Sequence, residues 1–294
     1  MHNKGLHLLE GQPVEFRNQR LQAVVQAIHK IPKTIPIHLE LASVGDLAFL
    51  KDIADAVMTE VDSVGLNEQE LGALYVATGG TTADSLLAFV APDVAVVSRA
   101  MEYAFNYTLQ KVLSSRWLTL SAPPHLPHTH TQHYNIQQQE EKHSSSRLMS
   151  RMHFHFLNYH VVATRESTSS RAVTRNWSHG RPSVAAGSVV SARQACDNDD
   201  IQLDKVELRM KTEEFEFVDG SKGRVKVVVS PGDSVITEWE RNRVHYYLAP
   251  VLVCKKPTKT VLCFLSLSLS LSLFLSLSLL SSLFSLLSLS LSLS

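Results

Sequence analysis

Two carboxylates, Glu40 and Glu70, stand where short apolar runs end, an arrangement that could serve metal or phosphate chemistry. Glu40 lies in the run Ile37–Ser43, and Glu70 follows the run Val61–Leu66. Because the carboxyl ends of parallel strands meet at one edge of a sheet, the two acids can converge there from different strands. Oxygen ligands suit Mg²⁺ that keeps most of its water beside a phosphate-bearing substrate. The two acids are therefore a candidate magnesium site.

Asn67 offers a second interpretation of the same stretch. Its side chain can cap a helix that begins directly after it, and Glu68 and Glu70 then lie in the first turn, where negative charge is favourable. An Asn-x-x-Glu pattern at a helix start is more often only a cap than part of a ligand set. The residues alone leave both interpretations open.

The flanking sequence alternates between helical and strand patterns. Apolar spacing predicts helices, and short apolar runs predict strands. In chain order the predicted elements are a helix in Gln12–Lys30, a strand at Ile37–Leu41, a helix in Leu47–Val61, a strand at Val61–Leu66 and a helix at Glu68–Ala77. This alternation is typical of an α/β fold with a mostly parallel sheet flanked by helices. Gly79-Gly80 is no phosphate loop, because the two glycines end a helix and no Gly-Lys-Ser/Thr follows.

The later part of the chain predicts another helix and several strands. A helix is expected at Glu102–Leu113 and one buried strand at Arg151–Thr164. Alternating runs further on indicate antiparallel hairpins. These runs are Val206–Arg209, Phe215–Val218, Arg224–Val229, Val235–Glu240 and Val244–Leu248.

Three histidines in the Arg151–Thr164 run could be metal ligands or core residues. His153 and His155 would share a strand face, and His160 follows. No carboxylate or cysteine joins them at ligand spacing, so the pattern favours core histidines satisfied by hydrogen bonds.

Charge and cysteine content restrict the function. The 294 residues carry 28 basic and 28 acidic side chains, so no net field draws the chain to nucleic acid. Its three cysteines predict buried structural thiols rather than a zinc site or a disulfide framework.

The start of the chain shows no apolar signal core. Asn106-Tyr107-Thr108 and Asn176-Trp177-Ser178 are glycosylation sequons, which matter only in the secretory pathway.

Two segments are low in complexity. Residues 117–143 contain four closely spaced histidines among Pro, Thr and Gln, which could bind zinc but lack helical spacing and a glutamate base. We predict that this insert is disordered. Residues 262–294 are almost entirely Leu-Ser alternation. This pattern has three interpretations: a membrane anchor, an aggregating strand or translated non-coding sequence. The last interpretation is favoured.

Ordered sequence blocks resemble the ADP-dependent glucokinase family in its animal form, a branch of the ribokinase-like kinases. The resemblance covers most of the chain from Gly5 to about Val261, with an interruption in the middle. The blocks that carry it are His38-Leu39-Glu40, Asn67-Glu68-Gln69-Glu70, Gly5-Leu6-His7-Leu8-Leu9-Glu10-Gly11-Gln12, Met152-His153-Phe154-His155-Phe156, Gln194-Ala195-Cys196 and Pro250–Pro257.

The resemblance implies a fold, a reaction and roles for individual residues. The fold would be a partial ribokinase-like three-layer sandwich, with kinase core at residues 1–116 and 144–261 around the insert and a non-native tail at 262–294. The reaction is transfer of the β-phosphoryl group of ADP to the 6-hydroxyl of glucose in glycolysis, with Mg²⁺. Glu40 and Glu70 would hold the metal, and Asn67 and His38 would support them. The nucleotide-binding and glucose-binding residues are not identified.

The same resemblance indicates what this sequence lacks. It implies that an N-terminal portion of the family's polypeptide is absent, and with it a signal for the endoplasmic reticulum or secretory pathway, so a cytoplasmic location stays open. In ribokinase-like kinases Gly-x-Gly-Asp follows a Thr-Val like Thr260-Val261 and supplies the base, whereas here Leu262-Cys263-Phe264-Leu265 follows. We therefore expect this chain to be inactive, the alternatives being an active sugar kinase of other specificity or a mis-spliced product without enzymatic role. ADP and glucose are the expected partners, and a membrane is expected only if the Leu-Ser tail inserts.

Overall fold

The computed structural model describes most of residues 2–256. The described ranges are 2–3, 5–80, 86–120, 147–165, 203–220, 222–230 and 236–256, with single residues and short stretches between 180 and 196. Contacts divide the chain into two compact units, one made of Met1–Val189 and Leu208–Leu252 and the other of Val190–Glu207 and Val253–Ser294.

Four helices with defined bounds lie in the described part of the first unit. They are α1 (Val14–His29), α2 (Leu47–Ala56), α3 (Glu68–Ala77) and α4 (Val94–Leu120). The first three confirm the predicted helices, and α2 passes at Val57 into a 3-10 turn, Met58–Glu60. The last is longer than predicted, because the apolar run from Val94 continues the helix instead of preceding it. Among the described helices none is both long and apolar enough to cross a membrane. The Leu-Ser tail lies outside the described residues, so the anchor hypothesis stays a prediction.

Eleven strands form three described sheets. In chain order they are β1 (His2–Asn3), β2 (His38–Glu40), β3 (Ser63–Leu66), β4 (Arg151–His155), β5 (Tyr159–Arg165), β6 (Val206–Leu208), β7 (Glu213–Asp219), β8 (Gly223–Val229), β9 (Thr237–Arg241), β10 (Val244–Pro250) and β11 (Leu252–Cys254). Seven of them make one sheet in the order β1-β2-β3-β4-β5-β10-β9. Strands β1 to β4 are parallel, and the remaining pairings are antiparallel. The helices and this sheet confirm the predicted α/β class.

The predicted single strand Arg151–Thr164 is wrong, because the structure folds it into the β4–β5 hairpin. The backbone turns at Leu157 and Asn158, where the amide of Phe156 donates to the carbonyl of Tyr159 at 3.1 Å. Leu157 is 59% exposed at this turn. No glycine or proline marks the position. The sequence therefore predicts one continuous strand, although the middle of the run faces solvent.

The strands β2 to β5 have one polar face and one apolar face, as the period of two in a strand requires. The apolar face lies in the main hydrophobic core and includes Leu39, Val64, Met152, Phe154 and Val161. The polar face carries His38, Glu40, Ser63, Gly65, Arg151, His153, His155 and His160. The register aligns Glu40 with Gly65, Gly65 with His153, and His155 with His160. The row through Glu40, Gly65 and His153 thus brings together residues up to 113 positions apart.

The hairpin predictions hold for four of the five alternating runs. Strands β7 and β8 form a separate two-stranded sheet, and β9 pairs with β10. The run at Val206 instead pairs with the late strand β11, so the prediction of a hairpin there is wrong. A pairing between segments nearly 50 residues apart leaves no turn pattern in the sequence.

Two of the cysteines form a disulfide in the second unit, so the prediction of buried structural thiols is wrong for them. Cys196 and Cys254 have Cα atoms 5.5 Å apart and are bonded through sulfur. The third cysteine, Cys263, lies outside the described residues, as do the predicted insert from residue 121 and the tail, so the domain boundaries stay predictions.

Candidate functional site

Glu70 is fixed at the start of α3 by a reciprocal cap. The side chain of Asn67 accepts a hydrogen bond from the amide of Glu70 at 2.9 Å, and Glu70 Oε2 accepts one from the amide of Asn67 at the same distance. This capping box satisfies two amides that the helix cannot pair by itself. Asn67 is therefore the predicted cap, and the cap directs the Glu70 carboxylate back toward the end of β3.

Glu40 ends β2 and is held by two histidines. His38 Nε2 lies 3.0 Å from Glu40 Oε2, and His155 Nε2 lies 3.0 Å from Glu40 Oε1. Because an ionised carboxylate only accepts hydrogen bonds, both imidazoles must donate from Nε2. The carboxylate is consequently restrained at both of its oxygens.

The other ring nitrogen of His38 belongs to a second set of hydrogen bonds, which does not include Glu40. Ser63 Oγ lies 3.0 Å from His38 Nδ1 and accepts from Arg151 Nη1 at 3.0 Å. Ser63 thus links the guanidinium of Arg151 to the imidazole that contacts Glu40.

Gly65 leaves the space that the Glu40 carboxylate occupies. A Cβ atom at Gly65 would lie 2.3 Å from Glu40 Oε2 and 3.0 Å from His38 Nε2. Gly65 is the register partner of Glu40 on the neighbouring strand, which explains the close approach. No side chain larger than hydrogen fits there while the carboxylate keeps its position.

The two carboxylates lie in one electrostatic environment. Ser43, in the segment that follows β2, has its Oγ 3.4 Å from Glu70 Oε1. The charge of Glu40 acts on the pKa of Glu70 and raises it, whereas His155 lowers it. The structure thus brings Glu40 and Glu70 to the same strand-end region, as the sequence predicts.

Their protonation differs because their surroundings differ. Burial raises the pKa of the Glu40 carboxyl, but the hydrogen bonds from His155 and His38 lower it by more, so the pKa lies well below its ordinary value. Glu70 is 7% exposed, and burial raises its pKa to about 7 against the opposing effect of the Asn67 amide. Glu40 is hence ionised at neutral pH, while Glu70, whose pKa burial raises to about 7, is only partly ionised there.

The donor set fits a hydrated magnesium ion. In the described part of the chain no group of three or more His, Cys, Asp or Glu side chains is arranged to hold a metal. Mg²⁺, however, is commonly held by one or two carboxylates and keeps several waters. Buried Glu70 beside ionised Glu40 places two carboxyl groups where such a cation would neutralise their charge. The assignment of Glu40 and Glu70 as its ligands stays a prediction.

The histidines of the β4–β5 hairpin divide into two kinds. His155 belongs to the site through its bond to Glu40, which sequence reasoning missed. His153 and His160 are buried beside it, with ring centroids 5.4 Å apart. Among the described residues His153 Nε2 and His160 Nδ1 have no hydrogen-bond partner, so the expectation of satisfied core histidines fails for these atoms.

Comparison with known proteins decides the family. The model of the ADP-specific phosphofructokinase/glucokinase conserved region matches residues 4–261. The chain belongs to this family. It is 33% identical over 259 residues to the ADP-dependent glucokinase of Bos taurus and 28% identical to the probable ADP-dependent glucokinase of Caenorhabditis elegans. In both comparisons 87% of this chain aligns with 44% of the relative, so the chain spans less than half of their length.

A solved structure supports the same fold. The hypothetical ADP-dependent phosphofructokinase of Pyrococcus horikoshii OT3 aligns with a TM-score of 0.51 at 15% identity. The alignment covers 87% of this chain and 46% of that one. At this identity the likeness concerns fold alone, and it agrees with the α/β architecture of this family member.

Proposed function

We propose that this family member contributes the metal-binding part of an ADP-dependent sugar kinase. The complete reaction would move the β-phosphoryl group of ADP to the 6-hydroxyl of glucose and yield glucose 6-phosphate and AMP. The observation that carries the proposal is the paired arrangement of Glu40 and Glu70 at the strand ends of a chain in this family.

Each site residue has a defined task in this proposal. Glu40, ionised and restrained by His38 and His155, would hold the waters of Mg²⁺. Glu70 would ionise fully when the cation is present, and Asn67 keeps it in place through the capping box. A bound magnesium ion neutralises charge on the phosphates during phosphoryl transfer.

Glucose is the proposed acceptor rather than fructose 6-phosphate. The two curated relatives are named as a glucokinase and a probable glucokinase, whereas the structural relative is named as a phosphofructokinase. The curated relatives are the more similar in sequence, at 33% and 28% identity against 15%. The sequence similarity therefore supports glucose.

The 294-residue chain by itself is expected to be inactive. Leu262-Cys263-Phe264-Leu265 supply neither the glycines nor the acid that phosphoryl transfer requires, and no Asp or Glu follows Glu240 in the sequence. A polypeptide without enzymatic role is thus the competing function. Release of glucose 6-phosphate by the purified chain from ADP, glucose and Mg²⁺ would disprove this part of the proposal.

A chimera tests the positive part. Residues 4–261 would replace the matching stretch of the cattle ADP-dependent glucokinase, which restores the surrounding protein. We expect ADP-dependent formation of glucose 6-phosphate, and a loss of at least about tenfold with Glu40→Gln or Glu70→Gln. Glu214→Gln, on an exposed side of β7, is the matched control. A folded but inactive chimera contradicts the function, and a preference for fructose 6-phosphate contradicts the specificity.

The disulfide supports an oxidising compartment for this protein. Structural disulfides persist in secreted proteins and in the endoplasmic reticulum and are rare in the cytosol. The Cys196–Cys254 bond therefore favours the secretory pathway over the cytoplasm, the two locations left open by the sequence. Fractionation of cells that make the tagged chain, with the redox state of both cysteines determined in each fraction, tests the assignment.

A further inference from the structure

We infer that Gly65 and His155 are positioning residues that set the orientation of the Glu40 carboxylate and thereby the affinity of the site for a divalent cation. The inference rests on the proposed function in one respect, namely that Glu40 binds the cation. Neither residue belongs to the His-x-Glu or Asn-x-x-Glu motif.

Gly65 acts on Glu40 by its small size. Its missing side chain leaves the volume that Glu40 Oε2 and the carboxylate carbon fill, at 2.3 Å and 3.0 Å from an ideal Cβ position. Gly65 lies within β3 and is bordered on both sides by strands, so its backbone cannot retreat without breaking the sheet. A Cβ atom there must rotate the carboxylate away from His38 and His155.

His155 acts on Glu40 by a hydrogen bond of fixed direction. Its Nε2 is 3.0 Å from Glu40 Oε1, whereas His38 Nε2 is 3.0 Å from Oε2. The imidazole is itself held on β4, and its ring packs edge-on against His153 at 5.8 Å between centroids. With one donor on each oxygen, the carboxylate plane cannot turn about its terminal bond.

The two imidazoles leave part of the Glu40 carboxylate free to accept further bonds. A carboxylate has about four lone-pair sites, and the two imidazoles use one on each oxygen. The other site on each oxygen stays available for a cation or its waters. Because partners of this kind commonly change metal affinity by ten- to a hundredfold, the loss of either restraint should be measurable.

The affinity can be measured without catalysis by titrating the full 294-residue chain with Mn²⁺. Electron paramagnetic resonance reports the concentration of the free ion. We expect Gly65→Ala and His155→Phe to weaken Mn²⁺ binding by about ten- to a hundredfold. His155→Gln retains an N–H at nearly the same place and should restore most of the affinity.

Gly72→Ala is the matched control for the steric argument. A Cβ atom at Gly72 would lie 2.7 Å from the ring of Phe89, so this variant creates a comparable clash within α3 and leaves Glu40 untouched. It should be destabilised without a change in Mn²⁺ affinity. Equal losses in the Gly65 and Gly72 variants would overturn the inference, because they would show a general loss of structure.

A metal-free measurement separates this inference from the proposed function. The Nε2 proton of His155, bonded to a carboxylate, should give a slowly exchanging signal in nuclear magnetic resonance spectra of the wild-type chain and of Gly72→Ala. It should be lost in Gly65→Ala and in Glu40→Ala. If the wild type bound no Mn²⁺, the magnesium role would fail, and the proton signal would still decide the positioning. Its persistence in Gly65→Ala overturns the inference.

Discussion

Glu70 has two roles that oppose each other: it caps helix α3, and it places a carboxyl group where burial disfavours its charged form. The capping box requires an acceptor at this position, yet the acceptor is an acid that is 7% exposed. Burial raises its pKa to about 7 from an ordinary value of 4.5. In the absence of metal the folded chain therefore binds this proton more tightly than the unfolded chain, and folding is favoured as the pH falls from 7 toward 4.5.

Glu70→Gln tests this conflict, because glutamine keeps the capping box and removes the charge. In metal-free buffer we expect the variant to be more stable than the wild type by about 1–3 kcal/mol at pH 8, and the difference to vanish near pH 4.5. Urea unfolding at a series of pH values measures it. Glu214→Gln serves as the exposed control. A wild type equal to the variant at pH 8 would contradict the prediction.

At the scale of elements, the β4–β5 hairpin carries two buried neutral histidines. Burial lowers the pKa of His153 to about 3 and that of His160 to about 4, and neighbouring histidines add to the effect. The unfolded chain binds these protons near pH 6.5, so it gains protons first as the pH falls. These two histidines should accordingly make the fold less stable as the pH falls below about 6.5, which opposes the contribution of Glu70.

His153→Leu should reduce this dependence by up to one proton, or about 1.4 kcal/mol per pH unit, between about pH 6 and pH 4. The free energy of unfolding as a function of pH gives the slope. His7→Leu, on the exposed segment before α1, is the matched variant and should leave the slope as it is. Equal slopes in the wild type and in His153→Leu would refute the prediction, because the opposing contribution of Glu70 is present in both.

Elements that are defined by neighbouring residues could be predicted from the sequence. Helix α3 has a cap at Asn67, acids in its first turn and a glycine stop, with Gly79 in the left-handed region at φ 94°, and its predicted bounds match. The β4–β5 turn could not be predicted because no glycine or proline marks it, and the β6–β11 pair could not be predicted because its two segments are far apart in the sequence. The position of His155 could have been predicted in part. If β2, β3 and β4 are placed side by side as parallel strands, His155 lies at the edge of the sheet where Glu40 lies.

At the scale of the whole molecule, the disulfide restrains a long segment. It joins positions 58 residues apart in sequence, and the enclosed chain includes β6 to β10. A cross-link of this length lowers the entropy of the unfolded chain, which corresponds to about 2–4 kcal/mol of stability. The pairing could not be read from three widely spaced cysteines, because spacing alone does not determine which of them meet.

Cys254→Ser is expected to lower the free energy of unfolding by about 2–4 kcal/mol under oxidising conditions and to have no effect after full reduction of both proteins. Chemical unfolding with and without reductant makes the comparison. Cys263→Ser replaces the third cysteine and should retain the wild-type stability. Peptide mapping that found Cys254 joined to Cys263 instead of Cys196 would contradict the assignment.

One glycosylation sequon lies in a packed helix, which has a consequence for quality control of the chain. Asn106 lies within α4, and its side-chain oxygen accepts a hydrogen bond from Arg165 of β5. Thr108 of the same sequon is fully buried, and its hydroxyl donates to the carbonyl oxygens of Ala104 and Phe105. An oligosaccharide can be attached at Asn106 only before α4 packs against the sheet. In a glycosylating compartment, a glycan at Asn106 would therefore mark those molecules that were still unfolded when the transferase reached them.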